Sequence, residues 1–332
     1  MERLERGINL LRKESLWKEC FVNNSDCSAG IIKAHSIQNN RILKQISRDG
    51  VIITLKHSIT PSQIEIKAEN VGRGIASTFR GFCGFHDGRI FKATDLFEYT
   101  LDNLEQEFLF AYKTFAKTYN DKASAMNFLK QTCSLGAEGD AGKLNRYFTD
   151  SFSKSFLIQN SFRAYLRYKK IVDQYDLHRK SLNRKLKEKS YDGIVSDVIV
   201  LPARHLIAVS STFCLADYYK RNRYDKEEGL KPLMLTIFPQ GNETVIIMSY
   251  FRRHKRFYSF IKDEIVSKTI EEQKLILSNL ILMYVENFMI SPVMWESFSN
   301  KKRKEIESFY KQHSLAEYTQ TLIKNDKVNL FE

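Results

Sequence analysis

The chain has 332 residues, 43% of them hydrophobic and 27% charged, a composition that fits folded globular units and excludes a disordered or low-complexity polymer. At this length one core is crowded, so two or more compact units are expected. Lys and Arg number 52 against 39 Asp and Glu, a formal net charge of +13 that favours a polyanionic partner: DNA, RNA or an acidic membrane surface.

Residues 1–19 read as a polar helix with Leu4, Ile8, Leu11 and Leu16 near one face, leading directly into Cys20. Asn23, Asn24, Ser25 and Asp26 are turn formers, so Cys20 and Cys27 bracket a turn. Residues 31–35 read as a strand, 39–47 as a short helix, and 51–55 and 63–68 as two strands, the first entered through Asp49-Gly50. Gly72 and Gly74 lack the frame of a phosphate loop and read as loop flexibility. Beyond residue 95 the chain turns helical, with a core helix over 104–119 and a long helix over about 144–190, separated by a Gly-rich stretch at 134–142. Strands follow at 195–201, 205–215, 233–238 and 244–250. The last two are joined by the hairpin signal Pro239-Gln240-Gly241-Asn242-Glu243. Three helices at 252–266, 270–290 and 292–312 close the chain, with Ser267, Thr269 and Ser291 placed as N-caps.

No secretory apolar segment is read in residues 1–18, and five cysteines is an odd number. Both favour a reducing, cytoplasmic setting in which thiols bind metal or stay buried. The most apolar run, 275–289, is interrupted by Ser278, Asn279, Glu286 and Asn287. It is expected to be a core helix and no membrane span.

The strongest chemical signal is the set Cys20, Cys27, Cys83 and His86. Zn2+ takes thiolate and imidazole in a tetrahedron, and a rigid ligand pair lowers the entropy cost of closing the site. Cys83-Gly84-Phe85-His86 has the spacing of a zinc knuckle, with Gly84 allowing a tight turn. Cys133 and Cys214 have no such companions and read as buried thiols.

A spaced Cys pair, a strand carrying His35, and then a second ligand pair opening a helix resemble the treble-clef layout of the HNH (ββα-metal) endonucleases, over residues 20 to about 95. The resemblance implies His35 as general base and Asp87, directly after the last zinc ligand, as the residue holding a catalytic Mg2+ or Mn2+. Ala34 stands where the family carries an acidic ligand, and Asp87 where it carries His or Asn. The stretch Lys33-Ala34-His35-Ser36-Ile37-Gln38 followed by Phe82-Cys83-Gly84-Phe85-His86-Asp87 is also similar to uncharacterised bacterial proteins of phage-defence loci. His35 has a second reading, as a core histidine bonded to backbone or a zinc ligand.

Cations recur along residues 163–189, among them Arg179, Lys180, Arg184 and Lys185, with Tyr165, Tyr168 and Tyr175 interleaved. Arg252, Arg253, Lys255 and Arg256 form a denser cluster, and residues 301–304 a third. Separated basic runs of this kind can follow a phosphate backbone.

The expected fold is α+β: a treble-clef-like zinc domain over 1–95, then a mainly helical domain over 96–332 containing an antiparallel sheet at about 195–250. The expected function is a nucleic-acid-binding protein with a structural zinc site and an HNH-like nuclease module. The alternative is a non-catalytic, zinc-stabilised protein whose C-terminal domain binds a protein partner.

Overall fold

Short apolar runs rich in Val and Ile, punctuated by turn residues, build two sheets, and the longer amphipathic runs build the helices around them. The structure, a computed structural model, describes residues 2–28, 30–59, 64–137, 147, 151–215, 229–313, 322, 323 and 325–332. In chain order the elements begin with α1 (Glu2–Glu14), β1 (Ile31–His35), a π-helical turn (Asn39–Leu43), α2 (Lys44–Ile46), β2 (Val51–Ile59), β3 (Ile64–Gly72) and β4 (Thr78–Cys83). Next come α3 (Gly84–Ile90), α4 (Lys92–Asp95), α5 (Leu104–Ala137) and α6 (Ser151–Glu188), then β5 (Ile194–Leu201), β6 (Ile207–Phe213), β7 (Leu233–Gln240) and β8 (Glu243–Phe251). The chain closes with α7 (Ile270–Tyr284), β9 (Phe288–Ile290), α8 (Pro292–Ser297) and α9 (Asn300–His313). The mixed helix-and-sheet class matches the α+β expectation. No helix among the described residues is long and apolar enough to cross a membrane.

The chain divides into two compact units, each assembled from three stretches. The first holds Met1–Ala34, Phe79–Asp87 and Ala116–Arg184; the second holds His35–Thr78, Gly88–Phe115 and Lys185–Glu332. This division does not follow a cut at residue 95, because residues 35–78 and 88–95 belong with the C-terminal stretch.

In the first unit, β1 and β4 pair as a two-stranded sheet, with α3 starting directly after β4. The second unit is organised by a seven-stranded sheet of order β3-β2-β9-β6-β7-β8-β5, in which every pairing is antiparallel. The sheet is therefore larger than the four strands read at 195–250, and it takes in the β2–β3 hairpin. The joint is β9, a three-residue strand that pairs with β2 on one side and β6 on the other. Sequence patterning placed β9 inside a helix over 270–290, because a continuous apolar run does not distinguish a buried helix from a buried strand. The helix stops at Tyr284, and Val285 is already extended (φ −93°, ψ 123°).

Both faces of this sheet are covered, which is why β6 and β7 are buried at nearly every position instead of alternating. One face packs Leu235, Ile237, Ile246 and Met248 against Ile276, Leu280 and Ile281 of α7 and Ile306 and Phe309 of α9. The other packs Ala208, Phe238, Val245 and Ile247 with Ile42, Leu43, Ile46 and Phe110. The hairpin read at Gly241 forms, with that glycine at φ +58°. Thr269 caps α7 in a full capping box and Ser291 caps α8, whereas Ser267 follows a π-helical turn and starts no helix. The helix read at 252–266 is instead a 3-10 turn (Arg252–His254) and a π-helical turn (Lys262–Val266). The end of the Gly-rich stretch and the first residues read as helix at 144–146 lie outside the described residues.

Within the second face runs a buried polar seam. Thr114 Oγ1 bonds Ser210 Oγ (3.0 Å) and Thr236 Oγ1 (3.1 Å), and Asn287 Nδ2 donates to the Ser36 hydroxyl (3.0 Å) and the Ser210 carbonyl (2.8 Å). Asn287 thereby ties the segment that follows His35 to the sheet. Replacing Asn287 with Ala removes two hydrogen bonds and leaves acceptors unpaired, a cost of about 2 kcal/mol. The urea-unfolding midpoint of the Asn287→Ala protein is expected to fall accordingly while its metal content stays at the wild-type level.

Candidate metal centre

The loop that follows α1 is held by side chains of α6 and by β4, all within the first unit. Phe21 N–H donates to the Gly81 carbonyl (2.7 Å). Arg179 Nε donates to the Phe21 carbonyl (2.8 Å) and its Nη2 to the Cys20 carbonyl (3.4 Å), while Asn183 Nδ2 donates to the carbonyls of Phe21 (2.9 Å) and Val22 (3.2 Å). The Arg179 guanidinium also lies 5.3–5.6 Å from the rings of Tyr119, Trp17 and Phe21, where cation–π attraction adds to the clamp. On the other side, β4 ends at Cys83, and α3 begins at once and brings His86 one turn later.

These two frames bring four ligand atoms within 4.8 Å of one another: the thiols of Cys20, Cys27 and Cys83 and a ring nitrogen of His86. Cys20, Cys83 and His86 are buried and Cys27 is partly buried. His86 Nδ1 lies 3.4 Å from Cys20 Sγ, 3.6 Å from Cys27 Sγ and 3.2 Å from Cys83 Sγ. A single imidazole nitrogen offers one proton or one lone pair and cannot satisfy three thiols. A shared cation can: ligand distances of about 2.3 Å to sulfur and about 2.0 Å to nitrogen in a tetrahedron put S and N about 3.6 Å apart. The residues therefore fit a metal ion such as zinc, bound through Nδ1. It is the one group of three or more His, Cys, Asp or Glu among the described residues that does so.

The surroundings act on the two buried thiols in opposite directions. Burial pushes the Cys20 thiol up to about 11, opposed by hydrogen bonds from the backbone of Cys83, Asn23 and Val22. At Cys83 burial also acts upward, but hydrogen bonds from the His86 backbone and from the Ser28 side chain and backbone outweigh it and hold the thiol at about 6. Donors aimed at sulfur stabilise thiolate, the form that binds metal.

Closing the loop between Cys20 and His86, 66 residues apart, costs roughly 4 kcal/mol of chain entropy. Zinc binding to small structural sites is worth about 10–16 kcal/mol near neutral pH. The ligand set can therefore join two of the three stretches of the first unit with stability to spare.

The other residues singled out from the sequence are distributed as follows. His35 belongs to the second unit and Asp87 to the first, on α3. His35 Nδ1 lies 3.0 Å from the Ala76 carbonyl, which can only accept, so Nδ1 carries the proton and Nε2 the lone pair. Burial lowers the His35 pKa; the Ala76 carbonyl opposes this and the nearby Lys113 and Arg73 reinforce it. Arg179, expected on a phosphate-facing surface, is turned inward and engaged in the clamp. Lys180 is exposed and pairs with Asp176 (2.8 Å), Arg184 is exposed, and Lys185 bonds Ser190 (3.1 Å) near Asp192. Arg252, Arg253, Lys255 and Arg256 are all exposed; Arg252 bonds the Asp192 carbonyl and Arg253 lies over the Phe251 ring (5.0 Å). Cys133 and Cys214 are half-buried and stand outside the metal-binding group.

Sequence reasoning missed Lys113 and Arg73, whose charges act on His35, and Arg41, on the turn that follows Gln38. The available signal was a cation inside an apolar pattern: Arg41 precedes Ile42-Leu43, and Lys113 sits in the apolar run of α5. No family model, curated protein or solved structure matches the chain.

Purified protein is expected to contain about one metal ion per chain, and Cys83→Ser about none. Because each thiolate must compete with protons, metal should be released as pH falls below about 5. Limited proteolysis of the metal-free protein should cut within residues 15–34, a region protected in the metal-bound form. Equal protection in both forms would mean that the ion does not hold this loop.

Proposed function

We propose that this is a zinc-stabilised nucleic-acid-binding protein whose module, like that of the HNH endonucleases, presents a histidine for phosphodiester hydrolysis. The observation that carries the reading is His35. Its ring is oriented by the Ala76 carbonyl, it is kept neutral, and it leaves Nε2 with a lone pair on a half-exposed side chain. A general base needs that tautomer and that protonation state. The order of elements supports the treble-clef expectation: a Cys pair, strand β1, strand β4 paired with it, and α3 opened by the second ligand pair.

Zn2+ is the ion the donor set favours, since three thiolates and one imidazole in a closed site suit it and leave no open position for chemistry. In this reading the zinc is structural, and a bound Mg2+ or Mn2+ would supply Lewis-acid assistance. His35 takes the proton from the attacking water at Nε2.

The basic surface supplies attraction. Arg163, Arg167, Lys170 and Arg184 are exposed along α6 at spacings of three, four and fourteen residues, close to one helical stripe. Binding to DNA or RNA should therefore weaken steeply with salt.

His35→Ala should abolish Mg2+- or Mn2+-dependent cleavage while zinc content and circular dichroism stay as in the wild type. Because the pKa of His35 is lowered from 6.5, its base form persists at neutral pH. The cleavage rate should stay level through pH 7 and decline only below the ordinary histidine range. Wild-type protein that cuts no DNA or RNA with either ion would remove the nuclease reading, and steep salt-dependent binding would then leave a binding role alone.

A further inference from the structure

The second unit contains a cation cluster that neither the metal centre nor the general-base reading uses. Arg41 sits on the π-helical turn after Gln38, and its guanidinium is partly buried. Its Nη1 is shut off from solvent and has no hydrogen-bond partner. Leaving a charged donor in that state costs more than leaving an ordinary polar group unsatisfied. Two carboxylates, Glu98 and Asp95, act on Arg41 through space only. Asp95 is already taken by Lys113, whose Nζ lies 3.1 and 3.2 Å from its two oxygens and 4.2 Å from the Phe91 ring. Arg73 is docked on the same turn, its Nη1 donating to the Asn39 carbonyl (3.2 Å) and side-chain oxygen (3.0 Å). With His35 neutral, three cations (Arg41, Arg73, Lys113) face two anions (Asp95, Glu98), and an acceptor-bearing anion would complete the Arg41 hydrogen bonding.

The rim of this cluster is apolar and unusually open. Ile75 is 63% exposed, Leu96 67% and Phe97 64%. Ile75 directly precedes Ala76, the residue that holds His35, and Leu96 and Phe97 directly follow Asp95. Of the large apolar residues more than 60% exposed, only Leu177 lies elsewhere among the described residues. Free phosphate would use the cations and leave this rim idle. A single nucleic-acid strand would use both, since its bases are unstacked and every base has a face that can lie on an aromatic ring. In a duplex the bases are already stacked and turned inward, away from such a rim.

We propose that this cluster is a single-strand phosphodiester site, in which Arg41 donates to a phosphate oxygen beside His35 and Phe97 stacks on an adjacent base. The inference rests on the nucleic-acid reading above and gives it a substrate form and two recognition residues.

The test is fluorescence anisotropy with a fluorescein-labelled oligothymidylate of about a dozen nucleotides, titrated with wild type, Arg41→Gln, Phe97→Ala and a Lys327→Gln control at an exposed position outside the basic runs. Arg41→Gln should weaken binding about tenfold or more and reduce the slope of log affinity against log salt by about one. Phe97→Ala should weaken it about tenfold with the slope unchanged. The control should lie within about twofold of wild type with its slope unchanged. Wild-type binding that neither Arg41→Gln nor Phe97→Ala alters would overturn this site and leave the broader nucleic-acid reading standing. A loss in Arg41→Gln alone would overturn the single-strand assignment in favour of a phosphate site. No binding by the wild type at low salt would remove both readings. Phe97 is exposed, so its variant decides the matter by itself if Arg41→Gln fails to fold by circular dichroism.

Discussion

Three thiols converge on one imidazole nitrogen at 3.2–3.6 Å, and no set of hydrogen bonds accounts for that arrangement. A tetrahedral cation would account for it. The loop after α1 buries Trp17 and Phe21, but between Cys20 and Cys27 it is mostly the turn formers Asn23, Asn24, Ser25 and Asp26. A metal ion held by Cys20, Cys27, Cys83 and His86 would link it to the end of β4, and Arg179 and Asn183 bind its carbonyls. Donors around Cys83 hold its thiol toward the thiolate that binds metal, while burial holds Cys20 toward the protonated thiol.

The second unit is held in a different way. Its sheet buries apolar side chains on both faces, and one face also carries the seam through Thr114, Ser210, Thr236 and Asn287. A seam of this kind is costly if half satisfied and specific if complete. Here it is connected hydroxyl to hydroxyl, and Asn287 carries the connection to Ser36. The residue before Ser36 is His35, so the orientation of the candidate base depends on the packing of the large sheet as well as on the Ala76 carbonyl. Pairing β1 with β4 returns the chain from the β2–β3 excursion to the metal ligands, which explains how an insert of about fifty residues separates the two ligand pairs without separating them in space.

Part of this was legible in the residues. The metal group was, because Cys-x-x-His spacing and a turn-bracketed Cys pair are local signals. The Gly241 hairpin and the caps at Thr269 and Ser291 were legible for the same reason. What could not be read was long-range. Nothing in Phe288-Met289-Ile290 distinguishes a strand from one more turn of helix, yet those three residues join the β2–β3 hairpin to the large sheet. Arg179 looked like one cation among many, and only the tertiary fold shows it donating to the carbonyls of Cys20 and Phe21. Arg41 and Lys113 were likewise hidden by apolar neighbours, because burial of a cation depends on partners distant in the chain.

The central claim is that Cys20, Cys27, Cys83 and His86 bind one zinc ion that fixes the first unit. X-ray absorption at the zinc edge on protein purified without chelator tests it most directly. A first shell of three sulfurs at about 2.3 Å and one nitrogen at about 2.0 Å is predicted. A shell of oxygen and nitrogen alone, or folded protein with no zinc, would contradict the account.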